Sequence, residues 1–394
     1  MADKPYYPHK SIASLETLAK TLGIRLQLLL DLADKVTDSY TEFVVPSKNG
    51  KIRTVYDPKY ELKKLQKRIN SRIFELVEYP EYLQGGIKDE KNKRDYVNNA
   101  LIHSGAVTLV SVDIKNFFDN IRPLHVSNVF KYFFRFPDDV SSVLTKLVTL
   151  GNKVPQGACT STYIANLVFF NTEYQIVSEF KNKNIPYSRL LDDVTVSSEQ
   201  VLSDEEITKY IKSIAGMFKK FDLKLNNKKT KVEHKIHTSD KNHFKVTGLW
   251  VGNNKPRLRR FDRKYIRQLV HVCEKEYEVS RFSESYHELW NRTSGLVAKM
   301  QRLDHVQSKN LRERLKTKLP QYDECAKIKI TLLVKKTIKM NKRKQNNVGL
   351  SKQLGKIYYQ LGILGRTDKN LAKSLRNQLK EKYSQIPSQK ELWL

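Results

Sequence analysis

Cysteine is scarce in this chain of 394 residues. Its three cysteines, Cys159, Cys273 and Cys325, are scattered too widely to make a CxxC pair. That excludes a disulfide framework and gives no support to a zinc site, and it fits a reducing cytoplasm. Long apolar runs are also missing. None approaches the ~20 residues of a membrane span, and the opening MADKPYYPHK lacks the apolar core of a signal peptide. Negative charge is in deficit: 42 Asp and Glu face 72 Lys and Arg, a formal net charge of +30. Such an imbalance points to a polyanionic partner, with nucleic acid ahead of an anionic membrane surface. The missing apolar runs then set the membrane aside. There is no glycine fingerprint of a dinucleotide fold and no internal repeat.

What is present is a globular composition, 39% hydrophobic, in a chain long enough for two or three domains with a real core. Leu15, Leu18, Leu22, Leu26, Leu29 and Leu30 recur at helical spacing and predict a helical region over 1–40. VVPSKNGKIRTVYDP then reads as two strands around a Lys48-Asn49-Gly50 turn, followed by a helix from about Lys59 to Glu78. VTLVSVD is a strand ending at Asp113, and YSRLLDDVTVSS is a hairpin with two aspartates at its tip. Helices are expected after Pro137, after Gln156 and over Asp204–Phe221, and a strand near Thr230–His234. From Pro256 onward the chain reads as helical and basic; residues 321–394 carry 17 Lys and Arg against 5 Asp and Glu. The class is α+β, divided as 1–40, 41–245, 246–320 and a basic helical C-terminal extension, 321–394.

The chemistry rests on carboxylates. Asp113 ends its strand, and Asp192 and Asp193 sit at the hairpin tip 79 residues later. Partly buried carboxylates brought together repel one another. Two divalent cations ~3.5–4 Å apart remove that cost, and can activate a 3′-hydroxyl and stabilise a leaving pyrophosphate. Mg²⁺ suits such oxygen ligands, with Mn²⁺ as a substitute. A lone Asp-Asp pair is usually only a solvated turn, so its surroundings decide.

Those surroundings are VSVDIKNFFDNI, VPQGACTSTYIANLVFF, YSRLLDDVTVSS and LKLNNKKTKV, in that order. Together they resemble the successive palm motifs of reverse transcriptases, nearest to the bacterial retron type and the related phage-defence-associated enzymes. KNGKIRTVYDPKYELKKLQKRI is similar to the fingers segment of that family. NNALIH, with Asn99, Ala100 and His103, resembles the retron NAxxH signature, and VTGLWV, with Val246, Thr247 and Gly248, the VTG signature. The resemblance covers about residues 40–315. It implies a right-hand polymerase, with fingers and a palm built on an antiparallel sheet interleaved over 41–245, and a helical thumb over 246–320.

The resemblance also implies roles. Asp113, Asp192 and Asp193 become the metal ligands and Lys229 the proton donor to pyrophosphate, with Lys228 and Lys231 as neighbouring alternatives. Phe118, five residues after Asp113, becomes a steric gate against a ribose 2′-hydroxyl, while one of Phe117 and Phe118 is core. Arg53 grips the triphosphate with help from Lys48 or Lys51; Gln156, Gly157 and Asn166 line the nucleotide pocket. Asn99, His103, Thr247 and Gly248 lie along the nucleic-acid path. The run including Arg257, Arg259 and Arg260 meets phosphates.

Two departures stand out. Leu190 occupies the place where the family has a tyrosine before the Asp-Asp pair, and Cys159 and Thr162 stand where prolines are common. No metal ligand is lost, so an active enzyme is expected, nearer a divergent defence-type branch. The expected function is RNA-directed DNA synthesis from dNTPs on a cognate structured non-coding RNA, giving a DNA product in antiphage defence, with an effector protein or a second copy of the chain as further partner. Template-independent or protein-primed DNA synthesis is the alternative within the class. A non-catalytic RNA-binding scaffold would be expected to have lost a carboxylate, and an RNA-dependent RNA polymerase conflicts with Phe118. The C-terminal extension reads as an RNA clamp or a partner surface, its charge favouring the clamp.

Overall fold

The computed structural model describes residues 3–46, 50, 52–235, 244–340, 347–388 and 391–393. The chain divides into two compact units, Met1–Arg257 and Leu258–Leu394.

The first unit is organised around one sheet. Its strands are β1 (Tyr40–Pro46), β2 (Ile52–Pro58), β3 (Leu83–Gln84), β4 (Thr108–Asp113), β5 (Tyr187–Leu190), β6 (Asp193–Ser198), β7 (Lys231–His234), β8 (Lys245–Val246) and β9 (Leu249–Trp250). β1 and β2 form the expected hairpin, and β8 and β9 a second. The other five join in the order β3-β5-β6-β4-β7. The expectation of an antiparallel sheet needs one correction: the edge strand β3 runs parallel to β5, so the sheet is mixed. A two-residue strand is too short a signal for sequence periodicity to orient.

Alternation along the strands gives the sheet two faces. Val110 and Val112 of β4 lie opposite Val196 and Val194 of β6 and point into the core, as do Tyr187 and Arg189 of β5. Ser111 and Asp113, opposite Thr195 and Asp193, form the other face. The apolar face shares one core with the helices Asp138–Val148, Ser161–Leu167 and Asp204–Lys219, a core that includes Leu144, Leu147, Ile164, Phe169, Ile214 and Phe218. The last of these helices starts in a capping box: Ser203 Oγ accepts from the Glu206 amide and Glu206 returns a bond to the Ser203 amide. The N-terminal helices Leu15–Leu22 and Leu26–Asp34 join this same core through Leu18, Leu22 and Leu29.

The second unit is helical. Its helices Arg260–Ser280, Glu284–Arg302 and Ser308–Lys316 precede three more, Glu324–Lys339, Asn347–Leu364 and Lys369–Lys382. The last three share a core of their own, including Val334, Leu354, Leu361, Leu375 and Leu379.

Candidate active site

Strand pairing places the aspartates. Asp113, the last residue of β4, is directly opposite Asp193, the first of β6. β5 and β6 are joined by a two-residue turn, Leu191-Asp192, in which Leu191 takes φ 59°. That left-handed conformation is costly for a branched side chain and turns the chain sharply enough to put Asp192 beside Asp113. The Asp192 carbonyl accepts from the Ile114 amide at 3.0 Å, fastening the turn to the end of β4.

The three carboxyls are unequal. Asp113 is 5% exposed and fully engaged: Oδ1 accepts from Asn226 Nδ2 at 2.8 Å and Oδ2 from Lys229 Nζ at 2.5 Å. Asn226 also donates its backbone amide to the Asp113 carbonyl at 2.8 Å. Burial raises the Asp192 carboxyl, repulsion by Asp113 adds to it, and Lys229 and Arg53 pull it back. Asp193 is pushed up to about 6, first by burial and then by Asp192 and Asp113. The hydrogen bond to Asp113 holds the Lys229 ammonium above the ordinary lysine range. Asn226 was not singled out from sequence; its partner is 113 residues away, and asparagine in a turn carries no distinguishing signal.

This arrangement fits divalent cations by its donors. All are hard carboxylate oxygens, and the burial and mutual repulsion that raise Asp192 and Asp193 are what a bound cation would offset. Among the described residues no three side chains already converge at metal-ligand spacing. A lysine ammonium instead rests on Asp113, and a cation held there would compete with it. A cavity of about 400 Å³ opens beside Asp113 and Asp193, bordered by Lys229, Lys231, Lys245 and Thr247. A larger one, about 990 Å³, lies at the far ends of β5 and β6 around Tyr187 and Ser198.

The other expected site residues divide. Arg53 lies on β2, near enough for its charge to act on Asp192. The Gln156 carbonyl accepts from the Tyr56 amide of β2 at 2.8 Å. Gly157 has φ 109°, and a Cβ there would stand 2.5 Å from Val55 Cγ1, so only glycine permits this approach to β2. Phe117 is core, stacked on Phe169, while Phe118 is half-buried. Asn166 is 1% exposed; its Nδ2 donates to Gly85 O at 3.0 Å and Thr162 O at 2.9 Å. Lys48 lies outside the described residues. Arg257 bridges β9 by backbone bonds to Trp250. Arg259 and Arg260 open the helix Arg260–Ser280 of the second unit, Arg259 paired with Asp262 at 3.1 Å.

His103 and Asn99 belong to a buried hydrogen-bond network. His103 is 1% exposed, its Nδ1 2.8 Å from Ser197 Oγ and its Nε2 2.8 Å from Ser188 Oγ. Asn99 Oδ1 accepts from the same Ser188 hydroxyl. His103 is thereby spent inside the protein, clamping the end of the helix Tyr96–Ile102 onto β5 and β6, while Asn99 joins the same network and also borders the 400 Å³ cavity beside Asp113 and Asp193. Thr247 (φ 48°) and Gly248 (φ 80°) form the turn of the β8–β9 hairpin, with positive φ at both positions as a type I′ turn requires. Thr247 Oγ1 donates to the Tyr96 carbonyl at 2.6 Å, so the two signatures meet each other.

Comparison with known proteins places the chain in a family. The family described as reverse transcriptase (RNA-dependent DNA polymerase) matches residues 45–251. The retron Se72 reverse transcriptase of Salmonella heidelberg (strain 579083-10) is 43% identical over 96% of this chain and 98% of its own length. The retron Ec48 reverse transcriptase of Escherichia coli is 33% identical over 93% of this chain and 91% of its own length, and retron Ec86 reverse transcriptase, also of Escherichia coli, is 30% identical over 68% and 80%. With two aspartates facing each other across β4 and β6, a third in the adjoining turn, and near full-length likeness to these enzymes, the chain belongs to the retron reverse transcriptases and is an RNA-directed DNA polymerase.

Proposed function

We propose that the protein copies a cognate structured non-coding RNA into DNA by a two-metal mechanism, in antiphage defence. The observation that carries the mechanism is the convergence of Asp113, Asp192 and Asp193 at one end of the sheet, where burial first and mutual repulsion second raise the Asp192 and Asp193 carboxyls. These side chains would hold the cations, Mg²⁺ with Mn²⁺ as substitute, whose chemistry is to activate the primer hydroxyl and stabilise pyrophosphate. Asn226 fixes the Asp113 carboxylate. Arg53 on β2 grips the triphosphate through paired hydrogen bonds. Gln156 and Gly157 hold β2 against the wall of the nucleotide pocket, and the half-buried Phe118 ring selects against a 2′-hydroxyl. Lys229, displaced from Asp113, carries a proton to the leaving pyrophosphate. Arg257, Arg259 and Arg260 meet phosphates of the bound nucleic acid. The placement in antiphage defence rests on likeness of motifs to defence-associated reverse transcriptases.

The test is primer extension by the purified protein with its copurifying RNA, labelled dNTPs or NTPs and Mg²⁺, beside an Asp192→Ala/Asp193→Ala control. Magnesium-dependent dNTP incorporation, absent from the control and from RNase-treated protein, is expected. Incorporation that survives RNA removal would indicate template-independent synthesis. No incorporation with any bound RNA would leave an RNA-binding scaffold.

A further inference from the structure

Arg189 is wholly buried on the apolar face of the sheet, where an unpaired charge is not tolerated. Each of its five N–H donors is used. Nε donates to Glu173 Oε1 at 2.6 Å and Nη2 to Glu173 Oε2 at 2.8 Å. Nη1 donates to Ala165 O at 2.9 Å and Nη2 to Asn166 O at 3.1 Å, both at the C-terminal end of the helix Ser161–Leu167. The remaining Nη1 bond reaches Leu191 O at 3.2 Å. Glu173 is 1% exposed and also accepts from the Tyr187 hydroxyl at 2.7 Å.

A buried ion pair is a poor way to gain stability, since apolar side chains of similar volume serve as well. What this one supplies is a fixed connection. Leu191 is the left-handed residue immediately before Asp192, a conformation that persists only where its surroundings over-determine it. The planar guanidinium ties the carbonyl of Leu191 to a helix end whose own start follows Gln156 and Gly157 against β2.

We propose that Arg189 is a positioning residue for the metal site. Through the Leu191 carbonyl it holds the turn carrying Asp192 and Asp193 in register with Asp113, and Glu173 keeps the guanidinium charged and oriented. This deepens the two-metal reading and rests on it.

The experiment measures Mn²⁺ binding to the full-length protein by electron paramagnetic resonance without dNTP, with the Asp192→Ala/Asp193→Ala variant defining background from bound RNA. Two variants are compared with the wild type. Arg189→Lys keeps a charge for Glu173 but replaces a planar five-donor fork with three donors on one atom. Arg189→Met/Glu173→Met removes the buried charges together. Melting curves and RNA content establish which variants are folded. We expect a folded variant to bind Mn²⁺ about tenfold more weakly, the scale of losing a partner behind a metal ligand, and to need correspondingly more Mg²⁺ for half-maximal primer extension. Wild-type Mn²⁺ affinity in a folded variant, with only a lower melting temperature, would overturn the proposal. Failure of both variants to fold would also overturn it, since stability alone would then account for the pair. If the wild type bound no Mn²⁺ beyond the aspartate control, the two-metal reading itself would have failed.

Discussion

Replacing His103 with alanine tests whether the NAxxH segment is architecture or nucleic-acid contact. In the folded protein the imidazole is neutral and buried between Ser188 and Ser197, and burial lowers its pKa from 6.5 to about 3. At pH 7.5, His103→Ala takes the imidazole partner from Ser197, leaves Ser188 with its bond to Asn99, and opens a cavity, which together cost about 2–4 kcal/mol. The pH dependence follows from linkage. A lowered folded-state pKa means that the native state resists protonation while the unfolded chain accepts it. The stability is therefore fully present above 6.5 and is lost as pH falls toward 3, at about 1.4 kcal/mol per unit. Between pH 7.5 and pH 5.0 the wild type should lose about 2 kcal/mol from this residue alone, and the variant should not. His125 and His305, also lowered by burial, are common to both proteins and cancel. Urea unfolding of both proteins at the two pH values gives the gap directly, and RNA affinity at pH 7.5 completes the assay. The gap should shrink by about 2 kcal/mol at pH 5.0, with RNA affinity of folded protein unchanged. A gap independent of pH would refute the buried neutral ring. Weaker RNA binding without loss of stability would restore His103 as a nucleic-acid contact.

Gly157→Ala should push β2 outward, because its Cβ would stand 2.5 Å from Val55 Cγ1 and 3.1 Å from Tyr56 O. We expect a several-fold rise in KM for dNTP through displaced Arg53 and a stability loss of about 2–4 kcal/mol, read by steady-state kinetics and melting; an unchanged KM would detach Gly157 from the nucleotide. Phe118→Ala should lower the preference for dNTP over NTP by about tenfold or more, measured by competitive incorporation. In the C-terminal helix Lys369–Lys382, Lys369, Lys373 and Lys380 fall on one exposed face. Changing all three to glutamine should reduce the slope of log affinity for RNA against log salt by about 0.9 per lysine that meets a duplex phosphate. An unchanged slope with an altered oligomeric state would favour a partner surface instead.

The strands that build the site were legible because apolar and polar residues alternate at their catalytic ends. SVD and DVTV each separate an apolar phase from a polar one, and Asp113 and Asp193 fall on the polar phase. Lys229 stood among three lysines, and only the fold brings its ammonium to Asp113. The sequence marked the Gln156-Gly157 turn but not its closeness to β2, which depends on segments 100 residues apart. The direction of the His103 side chain was not legible, because at a helix end it is set by what packs beneath it. Arg189 carried a readable signal that went unused. It shares the phase of Tyr187, Val194 and Val196, and a charge on the apolar face of a strand calls for a buried partner. The edge strand β3, two residues long, has no periodicity to read.

The two-faced sheet has an evolutionary consequence. Val110, Val112, Val194 and Val196 are judged by how they fill volume, and many apolar residues can pass that judgement. Ser111, Asp113, Asp193 and Thr195, one residue out of phase, are judged by what the enzyme makes. Neighbouring codons of a single strand thus answer to different selection. Leu190, paired with Asp193, lies on the chemical face, so a substitution there acts on the site before it acts on the core beneath.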